Sequence, residues 1–193
     1  MIIKPEDWHD IFTSEKDIAK VIDHLRTTGA IDEYPELAAL DGLEQDPLWH
    51  PEGDVLTHLG LAANVAASIA DEVGLVGDDR YTVVAATMLH DVGKATTSQH
   101  RIEQDGSVRI VSPGHAEAGA EPTESFLQTI GCQEHLQRKI VPLVVNHMAT
   151  CPTERASRRL ANRLAPATLE DWAIVTQADR LGRGKTSIGT RTI

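Results

Sequence analysis

Two residues that commonly bind metals stand side by side at the end of an apolar run. The segment 86–94 reads ATMLHDVGK, so His90 and Asp91 follow a helix-like stretch and come just before Gly93. Neighbouring side chains on a helix point about 100° apart, so both can reach one point only at the end of a helix. A metal ion is such a point, and we take His90 and Asp91 as its first candidate ligands.

Four further candidate ligands lie far apart in the sequence, each on or beside an apolar stripe: His58, His115, His147 and Asp179. Taken alone, a histidine on an apolar face is more often a packed core residue, and a single aspartate is more often a surface charge. Buried charge must be paired or coordinated, however, so several helices that each direct a His or Asp inward would be unstable without a shared cation. The set as a whole therefore favours a metal centre.

The ligand types restrict the metal without identifying it. Histidine nitrogen and aspartate oxygen together suit Mn, Fe, Ni, Co or Zn, and also Mg where water completes the coordination shell. Six ligands are more than one tetrahedral ion takes. Two divalent ions about 3.5–4 Å apart, bridged by Asp91, would use all six.

A centre of this kind predicts phosphoester hydrolysis, with His90, Asp91 and Lys94 as the catalytic residues. Divalent cations acidify a bound water and shield the charge on phosphate oxygens. Lys94, one turn beyond the His-Asp pair, can place its ammonium group against a phosphate oxygen. The alternative is that Lys94 only stabilises the dipole of the preceding helix.

Further residues are candidates for contacts with a substrate or a ligand. Trp49 and His50 lie in the segment WHPEGD, shortly before His58, and can stack on a base or assist a leaving group. The alternative is an ordered loop in which Trp49 packs into the core. Glu117, close to His115, is expected to orient that imidazole by accepting a hydrogen bond.

Charge is unevenly distributed along a chain whose formal net charge is −11. Residues 1–54 hold 14 acidic and 4 basic side chains, whereas residues 155–193 hold 8 basic and 3 acidic ones. The basic segment is either a solvated helix face or a rim that faces phosphate. The candidate phosphate-binding arginines are Arg101, Arg180 and Arg183.

The elements that carry these residues are predicted to be helices, apart from one hairpin. Hydrophobic spacing predicts helices over 14–27, 55–73, 80–91, 115–130, 134–149, 154–164 and 167–183, and a short helix within the irregular segment 35–54. Ser14 and Asp54 are the expected N-caps of the first two, and Gly93 is expected to end a helix in the left-handed conformation. Asp105-Gly106 predicts a β-hairpin near residues 100–111. The fold class is therefore an all-α bundle with a small hairpin insertion.

Length and composition exclude some classes of protein. The 193 residues, 41% of them hydrophobic, suffice for a core without disulfides, and two cysteines provide no disulfide framework. No segment approaches the roughly 20 apolar residues that span a bilayer, so we expect no membrane role and a cytoplasmic location. The acidic net charge argues against broad nucleic-acid binding.

The order H…HD…H…H…D, set by the six candidate ligands, resembles the HD-domain superfamily of metal-dependent phosphohydrolases. Longer segments are similar to the C-terminal HD domain of bacterial CCA-adding tRNA nucleotidyltransferases, namely PELAAL, QDPLWHPEGDVLTH, MLHDVGKATT, SPGHAEAGAE, VPLVVNHM and RRLANRLAPATLEDWAIVTQADRLGR. The resemblance covers about residues 34–184. It implies an all-α fold around a metal site, and hydrolysis of phosphomonoesters or cyclic phosphodiesters.

The resemblance does not extend to CCA addition. A nucleotidyltransferase head needs a Gly-Ser loop and paired aspartates on a strand, and no segment of this sequence supplies either. The expected organisation is an N-terminal helical extension (1–33), an HD domain (34–184) and a flexible tail (185–193).

Three functions stay open at this point. The first is a metal-dependent phosphohydrolase that acts on a nucleotide, a cyclic nucleotide or an RNA 3′ end. The second is a mixed-valent diiron oxygenase, because a branch of the same superfamily uses the same ligand order. The third is a non-catalytic module that binds RNA or a partner, which the acidic charge and the 4% aromatic content disfavour. Lys94 favours hydrolysis of a small phosphorylated substrate, and the sequence does not indicate an oligomer.

Overall fold

Residues 3–183 of the computed structural model form an α-helical bundle with one two-stranded antiparallel sheet, which confirms the predicted fold class. The predicted tail, 185–193, lies outside the described residues. In chain order the helices are α1 (Asp7–Ser14), α2 (Ile18–Thr28), α3 (Pro35–Ala38), α4 (Val55–Glu72), α5 (Gly77–Leu89), α6 (Lys94–Thr97), α7 (His115–Ala118), α8 (Ala120–Thr129), α9 (Glu134–Asn146), α10 (Glu154–Leu164) and α11 (Leu169–Gly182). A 3-10 turn (Ala30–Glu33) joins α2 to α3, and strands β1 (Gln99–Ile102) and β2 (Val108–Val111) lie between α6 and α7.

Helix α4 occupies the centre of the bundle and packs against α2, α5 and α11. Its N-cap is Asp54, as predicted, because the carboxylate accepts a hydrogen bond from the Thr57 amide at 2.7 Å. Small residues let α11 approach α4 closely. A Cβ added to Gly182 would lie only 2.7 Å from the Cα of Ala62. This close approach holds the ends of the two helices that carry His58 and Asp179 beside each other.

The His-Asp pair follows directly after α5, whose last three turns are buried throughout. The prediction of a left-handed Gly93 is wrong, since its φ is −67°. Glycine is required there by space, because a Cβ would lie 2.1 Å from the carbonyl oxygen of His115. The contact joins the chain after α5 to the start of α7, and so holds His90, Asp91 and His115 together.

The predicted first helix is divided differently in the structure. Ser14 is the last residue of α1 and its hydroxyl donates to the Asp10 carbonyl, so the prediction that Ser14 is an N-cap is wrong. Asp17 caps α2 instead, with its side chain accepting from the Lys20 amide. Gly29 then ends α2 in the left-handed conformation.

The segment preceding residue 34 shares the core of the remaining chain. Trp8 is fully buried, and its ring lies 5.1 Å from that of Phe126 in an edge-to-face contact and 5.4 Å from that of Tyr34. The division into 1–33 and 34–184 stays a prediction.

The predicted hairpin is present, with Gln99 paired to Val111 and Ile102 to Val108. Gly106 supplies the positive φ of its turn, at 82°. The hydroxyls of Ser98 and Ser112, 2.8 Å apart, join the two ends of the hairpin, and Arg109 of β2 pairs with Asp46 of the segment before α4. Ile110 of β2 lines the same cavity as Asp91.

Several helix limits differ slightly from prediction. The helix expected over 115–130 is broken at Gly119 into α7 and α8, and the helix expected over 134–149 ends at Asn146. Within residues 3–183, none of the helices combines the length and the apolar character that crossing a bilayer requires.

Candidate metal centre

Six side chains from separate parts of the chain meet at one end of the bundle. His58 comes from α4, His90 and Asp91 follow α5, His115 begins α7, His147 follows α9, and Asp179 lies on α11. Five of these residues are buried, and the side chain of His115 is 13% exposed. The structure thus brings together the six residues that the sequence identified as candidate ligands.

Four of the six form a compact group that we call half-site A, consisting of His58, His90, Asp91 and Asp179. The Nε2 atoms of His58 and His90 lie 3.4 Å apart. Oδ1 of Asp179 is 3.2 Å from Nε2 of His58 and 3.5 Å from Nε2 of His90. Oδ2 of Asp91 completes the group at 3.3 Å from Nε2 of His90 and 3.9 Å from Nε2 of His58.

A second group, half-site B, consists of Asp91, His115 and His147. Oδ1 of Asp91 lies 3.1 Å from Nε2 of His115 and 3.7 Å from Nε2 of His147. The two imidazole Nε2 atoms are 3.2 Å apart. Asp91 therefore presents one carboxylate oxygen to each half-site, which is the arrangement of a bridging ligand.

Backbone carbonyls fix the orientation of three of the histidines. Nδ1 of His90, His115 and His147 lies 2.7 Å from the carbonyl oxygen of the residue three positions earlier, respectively Thr87, Ser112 and Val144. A carbonyl can only accept a hydrogen bond, so each Nδ1 carries a proton and each Nε2 is the nitrogen that faces the centre. The prediction that Glu117 orients His115 is wrong, because the Ser112 carbonyl holds that nitrogen and Glu117 is exposed.

His58 is oriented by a side chain instead. Its Nδ1 lies 2.8 Å from Oε1 of Glu52, and the same oxygen is 2.9 Å from Nδ1 of His50. The Glu52 side chain is only 4% exposed. Burial alone would raise the pKa of Glu52, but the hydrogen bond from His50 and the close contact with Nδ1 of His58 outweigh it and lower the pKa to about 2. Glu52 is thus a buried carboxylate beside a candidate ligand.

Positive and negative groups in the centre stabilise each other. Burial would raise the pKa of Asp91, but His90 and Lys94 outweigh it and hold that pKa well below its usual range. The pKa of Asp179 is lowered in the same way by His58, His90 and Arg183. Burial would lower the pKa of His90, yet Asp91 and Asp179 raise it to about 10. Burial and the charge of His90 lower the pKa of His147 to about 4.

The donor set fits divalent metal ions in both chemistry and spacing. Imidazole nitrogens and carboxylate oxygens bind such ions at about 2.0–2.2 Å, so two ligand atoms on one ion are typically about 3.0–3.5 Å apart. The separations between two imidazole nitrogens, or between an imidazole nitrogen and a carboxylate oxygen, run from 3.1 Å to 3.9 Å within the half-sites. The ionised carboxylates and the neutral His147 are ready to bind a metal ion, whereas His90 must first release its Nε2 proton.

A cavity of about 200 Å³, which we call the central cavity, is lined by four of the six residues, namely Asp91, His115, His147 and Asp179. Lys94 faces it, with Nζ 2.6 Å from Oδ2 of Asp91 and 2.7 Å from Oε1 of Gln45. Arg183 also lines it and pairs with Asp179 at 2.7 Å. Each carboxylate of half-site A is therefore paired with a cationic side chain that lines the cavity.

The residues proposed for substrate contacts divide into two groups. Trp49, His50, Lys94 and Arg183 line the central cavity, and Trp49 is 43% exposed, so it is not packed in the core. Arg101 and Arg180 do not line it. Arg101 pairs with Glu103 on the exposed hairpin, and Arg180 is exposed on α11.

Two polar residues of the cavity wall were not expected. Gln45 and Asp46 are 8% and 7% exposed and belong to the segment read from the sequence as irregular. Gln45 holds Lys94, and Asp46 pairs with Arg109 of the hairpin. The only sequence signal was the density of polar residues between prolines, because no periodic pattern marks which side of an irregular segment faces inward.

Comparison with known proteins agrees with this geometry. Residues 55–184 match the HD domain family, and this stretch contains all six candidate ligands. The chain belongs to the HD domain family. A search of solved structures found no match.

Curated relatives of this HD domain include three bacterial proteins named multifunctional CCA protein. The one from Halorhodospira halophila is 37% identical over 103 residues, or 53% of this chain and 21% of the relative. The one from Xylella fastidiosa (strain M12) is 30% identical over 174 residues, which are 82% of this chain and 37% of the relative. The one from Neisseria meningitidis serogroup C is 34% identical over 122 residues, which are 63% of this chain and 26% of the relative. The chain thus spans between 21% and 37% of the length of these relatives.

Proposed function

We propose that this HD domain is a metal-dependent phosphohydrolase that cleaves a phosphoester of a nucleotide, a cyclic nucleotide or an RNA end. The observation that carries the proposal is the division of Asp91 between two half-sites directly beside a cavity with cationic walls. Divalent ions at such a centre supply an acidified water as nucleophile and neutralise charge on the phosphate oxygens. The six residues His58, His90, Asp91, His115, His147 and Asp179 would hold two of them.

The chain's own residues would bind and orient the substrate. Lys94 is 8% exposed and is fixed between Asp91 and Gln45, so its ammonium group needs no reorganisation to meet a phosphate oxygen. Arg183, paired with Asp179, offers a second cation in the wall of the same cavity. A phosphoester in the central cavity would therefore lie between two preorganised positive charges.

Trp49 and His50 would contact the remainder of the substrate. The Trp49 ring is exposed at the mouth of the cavity, where a nucleobase can stack on it. The His50 ring packs against the His58 ring at 4.8 Å and is tied to Glu52, so its position is fixed relative to half-site A. These contacts favour a nucleoside phosphate over a phosphate that bears no ring.

The experiment is a matrix of metals and substrates. Purified protein is treated with a chelator, reloaded with Mn, Ni, Co, Mg or Fe in turn, and assayed against mononucleotides, 2′,3′-cyclic nucleotides and dinucleotides. We expect hydrolysis with at least one metal. Asp91→Asn should reduce its rate by at least about 100-fold, because it removes the shared ligand. Asp105→Asn, an exposed aspartate of the hairpin turn, is the matched control and should leave the rate unchanged.

Two results would contradict the proposal. Iron-dependent oxygen uptake tied to a substrate, with no phosphoester cleaved, would favour the oxygenase. Affinity for RNA that persists in Asp91→Asn, with no turnover by the unaltered protein under any metal, would favour a binding module.

A further inference from the structure

A row of arginines marks one side of α10. Arg155, Arg159 and Arg163 are spaced at i, i+4 and i+8, which places them along one stripe of the helix, and all three are exposed. Leu160 and Leu164 are buried and attach the helix to the bundle. We call these three arginines the α10 stripe.

The charge of the stripe is not compensated by carboxylates. Arg158 pairs with Glu154, but among residues 3–183 neither Arg155 nor Arg159 has a carboxylate within 4 Å. Arg163 donates from Nε to the neutral amide oxygen of Asn146 at 2.8 Å. With four arginines and one glutamate, α10 carries a net charge of +3 in a chain whose formal net charge is −11.

Arg163, at one end of the stripe, lines a groove that adjoins the central cavity. This side groove, of about 690 Å³, is lined by Arg163 and has an apolar floor that includes Val145 and Ala149. Ser112, His115 and Met148 line both the side groove and the central cavity. Met148 is 58% exposed at the junction, although it is a large apolar side chain. A chain-like ligand can therefore run from the arginines to half-site B without leaving the surface.

We propose that the α10 stripe and the side groove bind the single-stranded end of a nucleic acid whose terminal phosphoester enters the central cavity. The inference rests on the proposed function, because it assigns the same metal centre a polymeric substrate. Exposed guanidinium groups pair with phosphates, and successive arginines rise about 6 Å along the helix, a spacing that an extended single strand can follow. Met148 and the apolar floor would contact bases.

The size of the central cavity selects a strand end over a duplex. A volume of about 200 Å³ admits one phosphoester group with part of its nucleoside, whereas a duplex cannot enter. Glu117 is exposed in the side groove, and its negative charge would repel a phosphate bound there. We therefore expect modest affinity, and we expect Glu117→Gln to strengthen it.

The test measures binding without turnover. The probe is a 5′-fluorescein six-nucleotide RNA that ends in a 3′-hydroxyl, and binding to the full chain is followed by fluorescence anisotropy as salt is varied. Three phosphate contacts predict a loss of affinity of about 20-fold between 50 and 200 mM salt. Arg155→Ala combined with Arg159→Ala should leave one phosphate contact. The affinity of this variant should fall only about threefold over the same range of salt.

The matched control is Arg138→Ala combined with Arg158→Ala. It removes two exposed arginines as well, but each is already paired with the glutamate four residues earlier. It should keep the salt dependence of the unaltered protein. In turnover assays, the variant of Arg155 and Arg159 should hydrolyse a mononucleotide normally and lose kcat/KM for an oligonucleotide.

Two outcomes would overturn the inference. One is an unchanged salt dependence in the variant of Arg155 and Arg159. The other is competition by poly-glutamate as strong as that by unlabelled RNA, which would assign the stripe to an acidic protein partner. Because anisotropy requires no hydrolysis, these outcomes are distinct from a failure of the metal and substrate matrix.

Discussion

Half-site A and half-site B share Asp91 but differ in closure. Half-site A has four candidate ligands, and its histidines are completely buried between α4, α5 and α11. Half-site B has three candidate ligands, and His115 reaches the central cavity and the side groove with 13% of its side chain exposed. Metal sites with a full set of protein ligands are generally structural, whereas an open position admits water or substrate. Asp179 of half-site A also lines the central cavity, with 10% of its side chain exposed. We therefore expect substrate to contact both half-sites, with the open coordination position at half-site B.

The largest effect should come from the more exposed histidine. His115→Gln leaves half-site B with two protein ligands, so we expect the bound metal to fall from two ions to one and hydrolysis to fall by at least about 100-fold. His58→Gln leaves half-site A with three candidate ligands. This variant should still bind an ion there, but at a higher metal concentration than the unaltered protein needs. Metal content by mass spectrometry and initial rates would measure both. Retention of two ions by His115→Gln would contradict the assignment of the halves.

A smaller effect should follow from the carboxylate behind His58. Glu52→Gln weakens the contact that orients His58, and loss of such supporting contacts typically reduces metal affinity by about 10–100-fold. Competition with a chelator of known affinity would measure it. Glu117→Gln is the matched control, because Glu117 is exposed and the Ser112 carbonyl orients His115. Equal losses in the two variants would show that support of His58 by Glu52 is not specific.

The two half-sites should also differ in their dependence on pH. The pKa of His90 is raised to about 10, so at neutral pH half-site A holds a proton that a metal ion must displace. Affinity at half-site A should therefore rise with pH, by about tenfold per pH unit, up to a pH near 10. The pKa of His147 is lowered to about 4, so at neutral pH it has no proton to release in half-site B. Metal titrations at several pH values should thus resolve a steep and a shallow component, and identical slopes would contradict the prediction.

The comparison also separates what the sequence could predict from what it could not. The helices, the Asp54 cap and the Asp105-Gly106 hairpin were predictable because each depends on neighbouring residues. The candidate His and Asp ligands were predictable as a set. Each lies on the apolar side of its helix, these sides face each other in the core, and a buried charge there needs a partner. Their exact surroundings depend on contacts between distant segments, which periodicity does not contain.

Two errors and one omission have this common origin. Gly93 is not in the left-handed conformation, because its role is to admit the carbonyl of His115 from another part of the chain. Glu117 is near His115 in sequence, but the α7 turn points it to solvent. Glu52 and Gln45 come from an irregular segment and reach His58 and Lys94 only in the folded chain.

The smallest predicted effect tests the packing beneath half-site A. A Cβ on Gly182 would lie 2.7 Å from Cα of Ala62, so Gly182→Ala must displace α11 from α4. Overpacking of this kind costs about 1–3 kcal/mol of unfolding free energy, which corresponds to a Tm lowered by about 2–10 °C for a chain of this size. Calorimetry would measure the shift, with Glu170→Ala on the exposed side of α11 as a control expected to change little. Because Asp179 moves with α11 while His115 and His147 do not, the variant should weaken metal binding at half-site A and leave half-site B unaffected. A loss confined to half-site B would contradict the view that close helix packing builds half-site A.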